Sequence, residues 1–552
     1  MGRVATLAFA LVMAHAAAAA AQTPPCDDDG TCAFPETCNS CPGDCGSCDV
    51  ESLTGQVAKY IDASCEHAGD GSSDSCAAGP GQPGRFNDLQ AALDSLVAGE
   101  TLYIHAGAYH RTGDAFRIQG IGTAEAPIVI TAADATAPPV IHSWDPAAPT
   151  DNNTAHNAMS GAEEPIAHII VDGLHFDGGL RLHGDYMRMQ NITCTHGWGD
   201  CDGNWSCLRF EGCNDCVAHH NVVDQVADLS GLCTGGANDP RESGMKEFTC
   251  TNTVWEHNTV SNTVRWGFDL HRSSFDSVVR YNLFRNAGDQ TSIRLNRTGN
   301  QSAYGNVVLG GGGCIALIAE DAGNGFSDLV SHNTCLFAAS GIYTNQFAPA
   351  TVTHNVLGGL AAGNADLVNL ALPATEDGGV HVSDRNAFDA SSWWVTEIYQ
   401  ASYAMTLGDW QSTTGQDLAS IAVPGGACSF VDAPSDVSDL TFDVSIDGGP
   451  CATLAESGGP VGACAVADCV GAACEACGEA PVAGTGGGGG AEGGAGGSGM
   501  GSGATGGAGG DGGGGNAAED GEGCGCRLGG APAAPPHLAW LLLVAALRRR
   551  RA

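Results

Sequence analysis

Short runs in which apolar and polar residues alternate recur through the middle of the chain. In FDLHR (268–272), Phe268 and Leu270 alternate with Asp269, His271 and Arg272. Successive residues of a β-strand point to opposite faces, so the apolar pair is expected to face a core and the polar set to face outward. The run therefore predicts a strand with one buried face and one polar face.

An asparagine recurs at the turns between these runs. Neighbouring asparagines are 22 to 37 residues apart, and a repeat of this length is typical of solenoids. Asparagine suits turns because it tolerates left-handed backbone angles and can hydrogen-bond its own chain, and asparagines stacked in successive coils can form a side-chain ladder. The eight motifs are QNITC at Asn191, HNVVD at Asn221, HNTVS at Asn258, YNLFR at Asn282, GNVVL at Asn306, HNTCL at Asn333, HNVLG at Asn355 and RNAFD at Asn386.

The repeat favours an all-β, right-handed parallel β-helix over a β-sandwich, because one asparagine turn recurs in each coil. The flanks support this fold. The segment 60–110 resembles the entry segment of right-handed parallel β-helix proteins, in which a short helix, here at 87–98, caps the first coil and hides its edge strand. DWQSTTGQDLASIAVPG (409–425) resembles the closing segment of secreted carbohydrate-active β-helices. The resemblance spans about 390 residues.

Aligning the coils on the asparagine turn places FDLHR (268–272) over IRLNR (293–297). Phe268 and Leu270 then lie over Ile293 and Leu295, all facing inward. Neighbouring coils are about 4.8 Å apart, so the outward side chains should form one polar patch. The patch is predicted to contain Asp269, His271, Arg294 and Asn296, with Arg209, Glu211 and Tyr343 at its ends.

Charge also favours this patch. The chain carries 62 acidic and 22 basic residues, which argues against a nucleic-acid partner. The window 265–297 is instead net positive, so an acidic polysaccharide would be attracted to it. Trp266 and Trp205 are candidates to stack on sugar rings. The window contains Arg265, Arg272, Arg280, Arg285, Arg294 and Arg297 against Asp269, Asp276 and Asp289.

These residues suit chemistry on a uronate. In β-elimination a base removes the proton next to the carboxylate while a cation neutralises that carboxylate. His271 is the candidate base because its pKa lies near neutral. Arg294 is the candidate cation, and Asp269 can orient either one. A C5-epimerase would use the same groups and return a proton to the opposite face of the ring.

DLHRS (269–273) resembles the Asp-Pro-His-Asp motif of β-helical alginate epimerases, with Leu270 in place of the proline and Arg272 in place of the second aspartate. Polysaccharide lyases of this fold often use a lysine base, with acidic residues that hold calcium, so calcium is a candidate cofactor. The chain has two lysines, Lys59 and Lys246, and the facing of Lys246 in GMKEF (244–248) is ambiguous. The pair of glutamates followed by lysine, expected in the chondroitinase- and alginate-lyase-like branch, is missing.

The preferred function is thus a lyase or epimerase of an acidic glycan, with Arg272, Trp266, Arg209, Glu211, Asn296 and Tyr343 as substrate-binding residues. Two alternatives stay open. One is a hydrolase that uses paired carboxylates such as Asp269 and Glu211. The other is a non-catalytic protein of the cell surface that binds glycan or builds the envelope.

The two ends predict export and display at the cell surface. Residues 1–21 have the layout of a secretory signal peptide. A Cys-rich module (22–50) precedes the β-helix (52–447), and a second Cys-rich segment (448–480) follows it. In an oxidising compartment most of the 25 cysteines should form disulfides, rather than a zinc site at Cys38, Cys41, Cys45 and Cys48.

The C-terminal end adds a Gly-rich linker (481–522) and a final segment (523–552). That segment has a Cys motif, the apolar run 538–547 and four arginines at 548–551. It resembles the MYXO-CTERM type of sorting signal, which implies membrane anchoring at the outer surface. A monomer is expected.

Overall fold

The chain divides into two compact units, Met1–Gly487 and Gly488–Ala552, and every described residue belongs to the first. The computed structural model describes residues 32, 35–39, 41–45, 47–53, 55–111, 115–143, 157–161, 166–195, 206–224, 243–271, 273–288, 290–296, 299–318, 328–344, 349–358, 368–371, 381–389, 393–397, 402–404, 406–423, 428–439, 442–455 and 460–465.

The described strands, numbered β1 to β39 in chain order, form three long sheets. Sheet A contains β1 Val57–Ile61, β2 Glu100–Ile104, β5 Ile128–Ala132, β9 Ile169–Asp172, β12 Arg188–Gln190, β15 Val217–His219, β18 Val254–Glu256, β21 Val278–Arg280, β24 Ser302–Tyr304, β27 Asp328–Ser331, β30 Ala350–Thr353 and β33 Val382–Asp384. Sheet B contains β3 Ala108–His110, β6 Val140–His142, β10 His175–Asp177, β13 Thr193–Thr195, β16 Val222–Asp224, β19 Thr259–Ser261, β22 Leu283–Arg285, β25 Val307–Leu309, β28 Thr334–Leu336, β31 Val356–Gly358, β34 Ala387–Asp389 and β37 Ile421–Val423.

Sheet C carries the longest strands of the repeat. It contains β4 Phe116–Ile118, β7 Asn157–Gly161, β11 Gly179–Asp185, β14 Ser206–Glu211, β17 Ser243–Phe248, β20 Trp266–His271, β23 Thr291–Asn296, β26 Ile315–Ile318, β29 Ile342–Thr344, β32 Val368–Ala371, β35 Trp393–Glu397 and β36 Ser402–Ala404, with β8 Ile166–Ala167 paired to β11. A separate antiparallel hairpin joins β38 Ser429–Asp432 to β39 Asp443–Gly448.

The chain visits the three sheets in rotation, so the predicted parallel β-helix is confirmed. Strands β18, β19 and β20 lie in sheets A, B and C, and β21, β22 and β23 repeat that order one coil later. Within the three sheets the described pairings are parallel except for β35 with β36. Side chains from all three sheets fill one continuous apolar core.

A short helix caps the first coils, as predicted for 87–98. Helix α2 (Leu89–Asp94) follows α1 (Pro42–Cys45) and precedes α3 (Leu407–Thr414). Asp88 is the N-cap residue of α2, and its carboxylate accepts a hydrogen bond from the Ala91 N–H. Leu89, Ala92 and Leu93 bury their side chains in the core of the solenoid. Short 3₁₀ turns lie at Val50–Ser52, Pro450–Thr453 and Ala463–Ala465.

A ladder of buried asparagines runs along the turn between sheets A and B, and the predicted side-chain stacking is confirmed. In each step the Nδ2 of one asparagine donates to the Oδ1 of the next, at 2.9–3.0 Å. The same Oδ1 also accepts from the backbone N–H of the preceding ladder residue, at 2.9–3.1 Å. The ladder consists of Asn221, Asn258, Asn282, Asn306, Asn333, Asn355 and Asn386.

Two details of the prediction were wrong. The left-handed residue is the one before each ladder asparagine, for example His257 (φ 55°) before Asn258. Asn191 itself has φ 53° and its side chain is exposed, so it occupies this preceding position. Ile192 takes the ladder position instead, where its N–H donates to Asn221 Oδ1 at 3.0 Å.

Part of the Cys-rich module 22–50 lies on sheet A and is hydrogen-bonded to it. The Oγ1 of Thr37 and the Nδ2 of Asn39 donate to Oε1 of Glu256, at 2.5 and 3.0 Å. Arg280 pairs with Glu256 (Nη2–Oε2 2.7 Å) and donates to the Pro35 carbonyl. Burial by itself raises the pKa of Glu256, but Arg280, His257, His219 and the hydrogen bond from Thr37 together outweigh it and hold this pKa well below its usual range.

The cysteines are bonded as predicted in most described places. Cys38 and Cys45 of the N-terminal spacing motif lie in disulfides, so the preference for disulfides over zinc is confirmed there. Cys213, Cys216 and Cys250 depart from the expected disulfide bonding, because they are free and buried. Cys201 and Cys233 lie outside the described residues. The described bridges are Cys32–Cys45, Cys38–Cys48, Cys65–Cys76, Cys194–Cys207, Cys314–Cys335 and Cys428–Cys451.

The predicted signal peptide (1–21), the Gly-rich linker (481–522) and the final segment (523–552) lie outside the described residues. Among the residues that are described, no helix has the length and apolar character needed to cross a membrane.

Removing one rung of the asparagine ladder should destabilise the solenoid. Asn306→Ala strips partners from the Asn282 side chain and backbone N–H and from the Val279 carbonyl, all of them buried. We expect a loss of about 3 kcal/mol in the free energy of unfolding, because each orphaned group keeps its desolvation cost. Denaturant unfolding measures this. The exposed Asn300→Ala is the matched control and should change stability by less than about 0.5 kcal/mol.

Candidate active site on sheet C

One row of charged side chains crosses neighbouring strands of sheet C. The pairing register places Arg209, Lys246, Asp269 and Arg294 opposite one another on β14, β17, β20 and β23. Arg181 on β11 extends the row at one end. Ala316 and Tyr343 on β26 and β29 extend it at the other. We call these residues the sheet C row.

The register predicted for FDLHR is confirmed. Phe268 pairs with Ile293, Asp269 with Arg294, and Leu270 with Leu295. The four apolar side chains are fully buried in the core. Asp269 and Arg294 therefore point away from that core, on the face where His271 also lies.

The sheet C row is buried, although the pattern predicted a solvated strand face. Lys246 and Asp269 expose none of their surface, Arg294 exposes 7% and His271 9%. A face that points away from the solenoid core is thus closed off from bulk water, and its charges interact more strongly than they would on an open surface.

Asp269 lies between two cations of the row. Its Oδ1 accepts a hydrogen bond from Arg294 Nη1 at 3.1 Å, and its Oδ2 lies 3.3 Å from Lys246 Nζ. Burial, together with the positive charges of Arg209 and Arg294, lowers the pKa of Lys246 to about 8. The negative charge of Asp269 acts in the opposite direction on this pKa. A lysine with this pKa is partly neutral near neutral pH and can then accept a proton.

Glu211 binds the arginines at the other end of the row. Its Oε2 lies 2.7 Å from both Arg181 Nε and Arg209 Nη2. Burial and the nearby Arg181 lower the pKa of Arg209, while Glu211 and Asp269 act in the opposite direction. Arg209 also lies over the ring of Phe248, 5.6 Å from its centroid.

Trp266 supports the arginines instead of offering an open platform. The Cζ atoms of Arg265 and Arg294 lie 4.1 and 4.6 Å from its ring centroid, within cation–π range. Trp266 is only 5% exposed, so the predicted stacking on a sugar has little free ring surface to use. Trp205 lies outside the described residues.

The other predicted site residues take different positions. His271 lies two residues after Asp269 on β20, outside the sheet C row, and its ring packs on Phe248 with the ring centroids 5.6 Å apart. Asn296 ends β23 and pairs with Ile318, and Arg272 lies outside the described residues. Burial raises the pKa of Tyr343, which lies two strands beyond Arg294, while a hydrogen bond with Thr291 and the charge of Arg294 oppose this shift.

The prediction of one positive patch over 265–297 was wrong. Arg280 lies in sheet A, fully buried against Glu256, and Arg285 lies in sheet B beside Phe442. A window of this length wraps around more than one coil, so its arginines are distributed over different faces. Of the six arginines, Arg265 and Arg294 are the described ones that lie at sheet C.

Lys246 is the site residue that the sequence pattern failed to place. In GMKEF the apolar Phe248 points out with Lys246, while Glu247 points into the core, so alternation gave no clear facing. Glu247 is satisfied there by hydrogen bonds from Thr253, Trp255 Nε1 and Ser277. One feature of the sequence could have pointed to Lys246 as a site residue: it is one of only two lysines in the chain.

The described residues do not offer a calcium site at the row. Three groups of close potential ligands occur, Cys38 with Cys48 and His219, Asp62 with Cys65 and Cys76, and Glu36 with Cys41 and Asp44. Each contains disulfide-bonded sulfur, which is not the thiolate that binds metals.

No protein-family model matches the chain, and no curated protein matches it in sequence. Solved structures do show similarity. An alginate lyase from Paenibacillus sp. str. FPU-7 is 15% identical with a TM-score of 0.40, covering 48% of this chain and 91% of that one. Pectate lyase Pel9A is 14% identical with a TM-score of 0.40, covering 75% and 97%. A rhamnogalacturonan lyase is 12% identical with a TM-score of 0.35, covering 72% and 97%. Because these TM-scores do not exceed 0.40, the function has to be inferred from the side chains of sheet C.

Neutralising the central carboxylate of the row should destabilise the fold. Asp269→Asn leaves Lys246 and Arg294 buried without their counter-charge, and we expect a loss of about 3 kcal/mol in the free energy of unfolding. The exposed Asp447→Asn is the control and should leave stability nearly unchanged. Equal denaturation midpoints for the two variants would contradict the charge balance described above.

Proposed function

We propose that the protein acts on an acidic polysaccharide at the sheet C row, by β-elimination or C5-epimerisation of a uronate unit. The observation that carries the proposal is a buried lysine with a pKa of about 8 that lies between two arginines in one row of sheet C, with Arg209 on the adjacent strand and Arg294 two strands away. This arrangement combines a base that can lose its proton near neutral pH with cations that can bind a carboxylate.

In the proposed reaction Lys246 is the base, and Arg294 and Arg209 bind the carboxylate. A neutral Lys246 amine takes the proton at C5, and Arg294, with Arg209, binds the adjacent carboxylate while negative charge builds on it. In elimination the C5–H electrons form a C4–C5 double bond and the C4–O bond breaks. The leaving oxygen then takes a proton from an acid. In epimerisation Lys246 keeps the proton that it took, an acid on the other side of the ring delivers a proton to the opposite face of C5, and no bond of the chain breaks.

Asp269 and Trp266 would position these cations. Asp269 accepts a hydrogen bond from Arg294 and pairs with Lys246, so it fixes the spacing between base and carboxylate binder. Trp266 lies on the guanidinium of Arg294 and limits its rotation. Both would act by holding geometry, which can change rates strongly without contacting the reacting atoms.

His271 remains a second candidate for the base. It lies on the same face of β20 as Asp269 and is nearly buried. Its neighbour across the strand is the ring of Phe248, whereas Lys246 lies among the arginines that would bind the carboxylate. This difference favours Lys246 over the base predicted from the sequence.

The hydrolase alternative has less support. Asp269 and Glu211 are each paired with two cations, whereas hydrolysis of a glycoside needs one carboxyl group that carries a proton to donate. A non-catalytic glycan-binding or structural surface protein would also use the arginines. In a non-catalytic protein of this kind, the lowered pKa of Lys246 would have no function.

Export and surface display complete the proposal. The described disulfides are typical of an oxidising compartment. The signal peptide and the sorting segment would bring the solenoid to the outer surface, where polysaccharide is met. We propose that it works there as a monomer.

The pH dependence of turnover should identify the base. The protein is incubated with pectate, alginate or chondroitin, and unsaturated ends are followed by ultraviolet absorbance. A C5-proton exchange assay in deuterated water detects epimerisation. If neutral Lys246 is the base, kcat/KM should rise with pH through a midpoint near 8. A profile that does not rise through this midpoint would contradict the role of Lys246 as the base.

Substituting Lys246 should separate activity from stability. Lys246→Met removes the base but keeps much of its volume and leaves Asp269 paired with Arg294, so turnover should fall by at least about 100-fold while the melting temperature changes little. Lys59→Met is the matched control. Lys59 pairs with Glu100 in sheet A, with Nζ–Oε2 2.8 Å, and its loss should leave turnover intact. Full turnover in Lys246→Met would overturn its role as base.

A further inference from the structure

A histidine is buried where the N-terminal Cys-rich module meets the outer face of sheet A. His219 ends β15 and is 1% exposed. Its Nε2 lies 3.8 Å from the Sγ of Cys38, which forms a disulfide with Cys48 inside the module. His219 takes no part in the chemistry proposed for sheet C, so its burial at this interface points to another role.

The contacts that hold the module on sheet A surround this histidine. The strand register places His219 between Gln190 and Glu256. Gln190 donates a hydrogen bond to the Cys48 carbonyl of the module at 2.9 Å, and the Glu256 carboxylate accepts two hydrogen bonds from module side chains. A change of charge on His219 therefore acts at the centre of the interface.

An apolar contact completes the interface. Val50 at the end of the module packs on Val129 and Ile170 of sheet A. Val129 exposes none of its surface and Ile170 only 5%. These two side chains would reach solvent if the module left the sheet, so their exposure reports on docking.

His219 is one of three imidazoles that lie close together at the end of the sheet A strands. Its Nδ1 lies 3.0 Å from the Nδ1 of His220, so only one of these two nitrogens can carry a proton in a hydrogen bond between them. The ring of His220 stacks on that of His257, with centroids 5.2 Å apart, and His257 is 4% exposed. Further protons would therefore enter a largely buried site, where like charges repel strongly.

The charges around the three rings favour the neutral imidazole. Arg188 on β12 and Arg280 on β21 bring two positive charges. Glu256 brings one negative charge, which is paired with Arg280, and Asp172 on β9 acts on Arg188. The module group in contact with His219 is the uncharged disulfide. The described acidic side chains of the module are half-buried or exposed, where water weakens their effect, and they are Glu36, Asp44, Asp49 and Glu51.

These surroundings make the docked state bind fewer protons. Burial first, and then His220 and Arg188, lower the pKa of His219 well below its usual value, while Glu256 opposes them. Burial also lowers the pKa of His220, and that of His257 falls to about 3. A solvated histidine has a pKa of about 6.5. The stability that a neutral His219 gives to docking is therefore present above about pH 6.5 and is lost as the pH falls below it.

We propose that docking of the N-terminal module on sheet A is acid-sensitive, with His219 as the group whose protonation releases it. At neutral pH the uncharged ring packs between the module disulfide and the strands. In acid the charged ring would be held against Arg188 and His220, so the module leaves the sheet and stays attached through the chain that follows it. The inference rests on sheet A and holds whether or not the sheet C row is catalytic.

The test is hydroxyl-radical footprinting of the full chain with its disulfides intact, read by mass spectrometry from pH 7.5 to pH 4.5. The docking equilibrium should weaken by up to about tenfold per pH unit below about 6.5. Oxidation of Val129 and Ile170 should therefore rise as the pH falls and return to its first level at pH 7.5. Val279 and Val308 in the solenoid core should stay protected throughout.

Two neutral variants and one control identify the sensor. His219→Gln and the smaller His219→Asn remove the charge, and whichever docks at pH 7.5 should show a rise that is displaced to lower pH. The exposed His110→Gln on sheet B should follow the wild type. The proposal is overturned if oxidation of Val129 and Ile170 does not change with pH, if the core valines become oxidised over the same pH range, or if the His219 variants keep the wild-type profile or fail to dock.

Discussion

The stacking of coils through buried asparagines is the interaction on which the rest of the structure depends. Each ladder amide bonds the next coil through its side chain and bonds the backbone through the same oxygen. A shift by one residue would leave several of these groups unsatisfied inside the core. The ladder thus fixes the register of seven coils, and that register decides which side chains meet on sheet C.

Register turns distant residues into a site. Lys246, Asp269 and Arg294 are separated by more than 20 residues at each step, yet lie opposite one another on adjacent strands. Their burial then gives the row its chemistry, since the same lysine on an open surface would keep its ordinary pKa. The fully buried pair of Glu256 and Arg280 on sheet A has a different role, because the N-terminal module makes direct hydrogen bonds to both residues.

Two faces of the same coils therefore have different roles. On sheet A, Glu256 and Arg280 hydrogen-bond to the N-terminal module of the same chain. On sheet C the charged side chains lie in a row on the face that points away from the apolar core. The turns that lead into sheet C bring Gly288, Gly311 and Gly312 together.

The sequence by itself determined the repeat, the inward set of Phe268, Leu270, Ile293 and Leu295, and the pairing of Asp269 with Arg294. These follow from alternation and from a recurring turn, both of which are local. Only the tertiary structure decided that Lys246 faces the row, because Glu247 inside and Phe248 outside invert the expected pattern. It also decided that Arg280 and Arg285 lie on other sheets, since wrapping of the chain distributes a charged window over several faces. Burial of the row was likewise a tertiary outcome, because the facing of a strand does not reveal what covers it.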